Sequence, residues 1–580
     1  MKNILKTAIG TVLGIFIFLF IMAGVGVVLS IILWSSVNRT GQNRNKATVL
    51  QIKLTSTIIE KGDESESFLS YPPHLRSIKL KGILKAIEKA KGDENIKGIS
   101  LELDQVKAGI TQLKDIRAVL EDFKNSKKFI YTYGQQYSQE AYYLGSVADS
   151  VFLNPSGSID FKGLSLEQPF YKKLAEKFGV NFTTYRHGKY KSITEPYTQN
   201  KMSQESREQS VRLLHDIWGN LITEIGQSRN IVPEKLNQIA DELSGTIAEL
   251  SYQNRLVDQL VYYDEFIKII QTKLKIKSTE KVPFISLSDY IEHLPEKTSK
   301  NNIAILYASG MILQGNGNQE IQDETYKNLI TEIKDNPSIQ AVVLRINSRG
   351  GDALASENIY RELLNLKKEK PLIVSLGDYA ASGGYYIAAA GDQILASPIS
   401  ITGSIGVIGL IPDVKKLSEK LGITTDSVTT NANSIPFSPL SSVNSQYKKM
   451  MIQNIEKFYS TFISHVAQGR KMSFEQINAI AQGQIWSGKE ALEKGLIDRL
   501  GNLNDAIKFA AKKAKIQKYA IVEFPKSSLW SETLKNFYKN ANIQNQVRQV
   551  LGPKYSRLIT EFNYLRSPAT IYAQSSFKIY

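Results

Sequence analysis

A serine set between alanines and paired glycines is the first candidate for chemistry in this sequence. Ser382 lies in Ala380-Ala381-Ser382-Gly383-Gly384, after the apolar run Leu372–Leu376 and before Tyr385–Ala390. The first run reads as a buried strand. The second reads as a short buried helix closed at Gly391. At such a strand-to-helix turn the first-turn amides have no helical partner and carry partial positive charge. An oxyanion forming on an attacked carbonyl would be stabilised there. The same Ser-Gly-Gly would also serve merely to pack a helix close to a sheet.

A serine nucleophile needs a base. The five histidines, His74, His187, His215, His293 and His465, stand in no recognisable triad context, and Ser382 is not in a G-x-S-x-G elbow. Lysine is the other base available. Its ordinary pKa of about 10.4 leaves well under 1% neutral at pH 7. Burial in an apolar site lowers it by several units, as Ser-Lys dyads require. With 72 lysines and arginines, periodicity does not select one.

The rest of the chain must position these groups. Its 580 residues allow two or more domains with substantial cores. Cysteine is absent, which excludes disulfides, cysteine nucleophiles and thiolate metal sites. The formal charge of +16 is spread along the chain without a recognition-helix or RNP-type pattern. That favours an anionic membrane surface over nucleic acid. Thr7–Trp34 is uncharged and almost wholly apolar. About 20 such residues span a bilayer as a helix, and this run exceeds a signal-peptide core. It predicts an uncleaved anchor, with residues 35–47 as a polar linker. Basic residues flank both ends, so charge does not orient the span.

From residue 48 strands and helices alternate. Strands are predicted at Thr48–Ile59, Ile96–Leu103 and Lys128–Tyr133, with helices at Leu80–Ala90 and Ala108–Phe123. The order recurs at Ile303–Tyr307, Thr325–Ile333, Ile339–Ile346, Ser356–Lys367 and Leu372–Leu376. This predicts an α/β fold with a largely parallel sheet, present twice. Placing Tyr142-Tyr143 on Tyr385-Tyr386 aligns Asp149 with Asp392, Pro155 with Pro398 and Gly163 with Gly406. The expected divisions are anchor and linker 1–47, first repeat 48–296, linker 297–302, second repeat 303–514 and a basic tail 515–580. In the alignment Ser382 faces Gln139, Ser404 faces Phe161, and Gly350-Gly351 faces Lys107-Ala108. The first copy therefore lacks a second nucleophile, and the second lacks an evident base.

Taken together, Asn347-Ser348-Arg349-Gly350-Gly351, the Ser382 turn, Leu395–Pro398 and Thr402-Gly403-Ser404-Ile405-Gly406 resemble the bacterial signal peptide peptidase A (protease IV) family in its long, tandem form. Gly188-Lys189-Tyr190-Lys191-Ser192 with Glu195-Pro196 is similar to the family's lysine segment. The resemblance implies Ser382 as nucleophile and Lys191 as general base and acid, in preference to Lys189 or His187. It implies Ser404 as the residue that orients the lysine, and the amide of Gly383 with Gly350 or Gly351 as the oxyanion hole. Arg349 replaces the family's usual proline, which frees the loop's φ and places a cation within reach of a substrate carbonyl or carboxylate.

The implied fold is a tandem crotonase- or Clp-protease-like α/β pair behind one transmembrane helix. The implied function is a membrane-anchored serine endopeptidase that degrades released signal peptides. The catalytic domains are expected outside the cytoplasmic membrane, in a ring- or dome-like homo-oligomer such as a tetramer. No metal, nucleotide or nucleic acid is expected. A crotonase-like acyl-CoA enzyme and a non-catalytic membrane scaffold are the alternatives. Gly483–Asp498 reads as a structural closing element, with Ser487 capping a helix, and Tyr519–Phe524 as a strand in the tail.

Overall fold

Ile303–Ala308 is apolar at every position, too uniform for a sheet with one wet face. In the computed structural model these residues are at most 2% exposed and lie inside a largely parallel sheet. The structure describes residues 48–61, 77–295, 298–317, 320–435, 438, 440, 443–526 and 572–574, with Gly14, Phe20 and Gly24 as isolated helical positions. The predicted span 7–34 and linker 35–47 therefore lie outside the described residues, those three positions excepted. No helix among the described residues is long and apolar enough to cross a membrane.

Two parallel sheets carry the chain. The first runs Gln259–Leu260, Ser150–Ile159, Phe129–Tyr137, Ile96–Glu102, Thr48–Lys53, Phe284–Ser286. The second runs Ile485–Ser487, Ile401–Gly403, Leu372–Ala381, Ile339–Ser348, Asn302–Ser309, Ala520–Phe524, antiparallel only at Ile485–Ser487. Equivalent contacts recur in both halves. The Tyr142 hydroxyl donates to Leu256 O at 2.9 Å, and that of Tyr385 to Leu496 O at 2.6 Å. Arg229 pairs with Asp258 and Arg470 with Asp498, each at 2.9 Å.

The halves are interlocked. Ile399, Ile401 and Ile485 from the second pack into the core of the first. Asn181–Arg186 leaves the first half and pairs antiparallel with Ile408–Asp413 of the second over six positions. At the other end, Ala520–Phe524 joins Asn302–Ser309, so the second sheet continues into the segment read as tail. Tyr572–Gln574, further along, lies antiparallel to both Gly350–Asp352 and Ile408.

A buried ion cluster also joins the halves. The Arg345 guanidinium donates to both Glu60 oxygens at 2.9 and 3.0 Å, with Asp115 Oδ2 3.7 Å away. Asp378 accepts from the amide and hydroxyl of Thr111, both at 2.8 Å. One guanidinium thus serves two carboxyls, and Asp115 Oδ2 has no hydrogen-bond partner. Burial pushes the Asp115 carboxyl up to about 7 against the pull of Arg345. An unfolded aspartate releases its proton near pH 3.9. Between about pH 4 and 7 the native state therefore holds the extra proton, and stability falls as pH rises. Asp115→Asn should remove that slope. Urea midpoints should move in the variant's favour from pH 4 to 7 and run parallel to wild type above. A constant difference across that range would show that Asp115 is already ionised in the folded chain.

Candidate active site

Ser382 is the N-cap of helix Gly383–Ala388, with φ 57° and ψ −120°. This is costly backbone for a residue with a Cβ, by about 1–3 kcal/mol. It is held by the Ser382 amide donating to Gly403 O and its carbonyl accepting from Tyr386 N, both at 2.8 Å. Gly384 must be glycine, because a Cβ there would lie 2.7 Å from Ser348 O. The helix can then sit directly on the Ser348–Gly351 loop.

Lys191 arrives from the first half. It is 1% exposed. Its Nζ lies 2.6 Å from Ser382 Oγ and donates to the carbonyl (2.9 Å) and hydroxyl (3.0 Å) of Ser404. Burial pushes the amine well below the ordinary lysine range. A neutral amine has two N–H groups and one lone pair. Both N–H groups are met by Ser404, which leaves the lone pair for the Ser382 hydroxyl.

The segment carrying Lys191 is pinned at several points. Beyond the Asn181–Arg186 strand, His187 N donates to Val407 O at 3.2 Å, and Tyr190 N to Gln482 O at 3.1 Å. Arg186 Nη1 donates to Lys191 O at 3.0 Å. Gly483 has φ +79°, and a Cβ there would come within 2.7 Å of Lys191 N and Cβ. Gly188 similarly abuts the Gln482 backbone. Ser404 has φ 51° and donates its amide to Gln484 O at 2.7 Å. A cavity with room for about 30 Å³ of solvent lies beside Lys191 and Ser404, lined also by Ser206, Gln209 and Ser210.

Ser382, Lys191 and Ser404 thus come together within one chain. Lys189 is exposed, its Nζ 5.7 Å from the Tyr190 ring centroid. His187 Nδ1 meets both Glu456 oxygens, and His465 Nε2 meets Glu357 Oε2 at 2.9 Å. His74 lies outside the described residues. The Gly383 amide opens its helix, where no intrahelical acceptor exists. The Gly350 amide donates to Ser348 Oγ at 3.1 Å, a side-chain partner the sequence reading did not include. Gly351 packs against Ile312, whose carbonyl would lie 2.0 Å from any Cβ. The Arg349 guanidinium lies 4.2 Å from the Tyr379 ring centroid. Sequence reasoning missed Gly483 as a neighbour of the lysine. Nothing local signals a contact made so far along the chain.

The same halves match a family model twice: Peptidase family S49, over residues 122–277 and 365–517. The chain belongs to peptidase family S49. It is accordingly a serine peptidase, built from tandem Clp-protease-like domains of mixed α/β content; a Clp protease model matches residues 296–400. Curated relatives agree. Protease 4 of Haemophilus influenzae is 35% identical over 74% of this chain and 72% of its own length. Protease 4 of Salmonella typhi is 33% identical over 88% of this chain and 84% of its own length. The chloroplastic serine protease SPPA of Arabidopsis thaliana is 31% identical over 76% of this chain and 67% of its own length.

Proposed function

We propose that this S49 peptidase is a membrane-anchored endopeptidase that cuts released signal peptides with a Ser382–Lys191 dyad. The observation that carries the dyad is the 2.6 Å approach of Lys191 Nζ to Ser382 Oγ, with burial lowering the amine's basicity. The neutral amine takes the hydroxyl proton as Oγ bonds to the scissile carbonyl carbon. The resulting ammonium gives that proton to the leaving amine as the C–N bond breaks. Water from the cavity beside the lysine then attacks the carbonyl of the Ser382 ester with Lys191 again as base; the C–Oγ bond breaks, the acid product leaves, and the ammonium returns its proton to Ser382 Oγ.

The oxyanion is stabilised by the Gly383 amide with an amide of the Gly350-Gly351 pair. Ser404 keeps the lysine lone pair on Ser382. Substrate binding as an added strand is supported by Tyr572–Gln574 of this chain, which pairs as extended backbone with Gly350–Asp352 and Ile408. An apolar signal peptide leaving the bilayer would be delivered to this slot by the Thr7–Trp34 anchor. Self-association into a ring or dome is proposed on the family resemblance; a monomer mass by light scattering in detergent would overturn it.

The dyad is tested with a fluorophosphonate and peptide mapping by mass spectrometry. A single adduct on Ser382, lost when Lys191 is replaced, is expected. An adduct elsewhere, or undiminished labelling without Lys191, sinks the reading.

A further inference from the structure

His187 is the histidine nearest in sequence to the base, and its ring is engaged by groups other than Ser382. Its Nδ1 lies 2.8 and 2.7 Å from the two oxygens of Glu456, so Nδ1–H donates to that carboxylate. Its ring stacks on Tyr459, with centroids 3.7 Å apart and planes 21° off parallel. Both partners lie on helix Ser445–Arg470 of the second half. The Tyr459 hydroxyl donates to Asn478 Oδ1 at 2.7 Å and accepts from the Gln482 amide (3.3 Å) and its Nε2 (3.2 Å). Gln482 O in turn accepts from Tyr190 N, one residue before the lysine. Gly483, next along, packs on Lys191 itself.

We propose that His187, Glu456 and Tyr459 form a clamp that positions Lys191, acting through Gln482 and holding the lysine segment of one repeat on the long helix of the other. This rests on Lys191 being the base. The clamp's effect on chemistry follows from its place. Lys191 keeps its proton-accepting form because bulk water is kept from its amine, and the segment must stay seated for that. Burial is what pushes that amine below the ordinary lysine range. The titratable and charged groups around it are Arg186, His187, Lys189, Tyr190 and Glu195 on its own segment and Glu456 and Tyr459 on the long helix, while helix Gln204–Arg229 meets Tyr190 O with the uncharged Gln209. A loosened segment lets water in, so the amine holds its proton to higher pH and misses the 2.6 Å approach in part of the population.

The experiment compares the full-length chain with His187→Ala, His187→Phe and Glu456→Gln, each normalised to fluorophosphonate-titratable Ser382, and with Lys191→Met, normalised to folded protein, on one fluorogenic peptide across pH 5–10. His187→Ala should lower kcat about 10- to 100-fold with KM nearly unchanged. It should also move the acid limb of the kcat/KM profile about one pH unit toward alkaline. His187→Phe, which keeps the stack, should recover part of both effects, and Glu456→Gln should show a smaller shift of the same sign. An unmoved acid limb in His187→Ala, with Lys191→Met inactive, overturns the clamp and leaves the dyad standing. A Lys191→Met variant that still turns over overturns the dyad instead.

Discussion

Lys191→Met should lower kcat/KM by roughly four orders of magnitude or more, in line with losing the base of a serine peptidase. Methionine keeps most of the aliphatic volume, so packing against Gly483 and Gly406 survives. What disappears is the acceptor for the Ser382 proton, and no described histidine takes its place. His187 and His465 are each committed to a glutamate. The variant also has a signature in stability. In the folded chain the amine is held below its ordinary range, whereas an unfolded lysine stays protonated to about pH 10.4. Between those limits the unfolded state binds the extra proton, so wild-type stability rises with pH. Lys191→Met should lack that component of the rise. Denaturant midpoints at pH 7 and pH 10 would show it. Identical pH dependence in the two proteins would mean that Lys191 is charged when folded and is no base.

Gly483→Ala should cut turnover about 100-fold while leaving a folded protein. Two effects combine. The backbone there has φ +79°, which an alanine adopts only with strain. The new methyl would also come within 2.7 Å of Lys191 N and Cβ, and 2.9 Å of its Cα. Backbone on that side cannot yield without moving the lysine. Gly495→Ala separates the two effects, since Gly495 has φ +72° and its Cβ would meet only Met472 Sδ at 3.4 Å. That variant should lose stability and keep its kcat. Should both glycine variants lose stability alone, the contact between Gly483 and the lysine has no part in catalysis.

How much of this was legible beforehand differs between the nucleophile and the base. The turn that presents Ser382 is written in neighbouring residues, an apolar run, a Ser-Gly-Gly and a second apolar run. Local sequence patterns of that kind survive folding because each element is set by its own periodicity. Ser487 capping its helix with Glu490 was readable for the same reason, and the capping box is present. Lys191 was different. Composition could not choose it among 72 basic residues, and only likeness to a family segment picked it out. The pairing of Asn181–Arg186 with Ile408–Asp413 had no local signal at all.

The amino-acid order alone therefore determined that two α/β repeats follow one another, that only the second bears the Ser-Gly-Gly turn, and that cysteine chemistry is absent. Likeness to a family segment named the amine, and the tertiary structure alone decided that it reaches the serine and what surrounds it. Basicity of a lysine is not a property of its neighbours in sequence. It depends on how much water the folded chain excludes and which acceptors it leaves within reach, and both are set here by residues from the opposite half of the molecule.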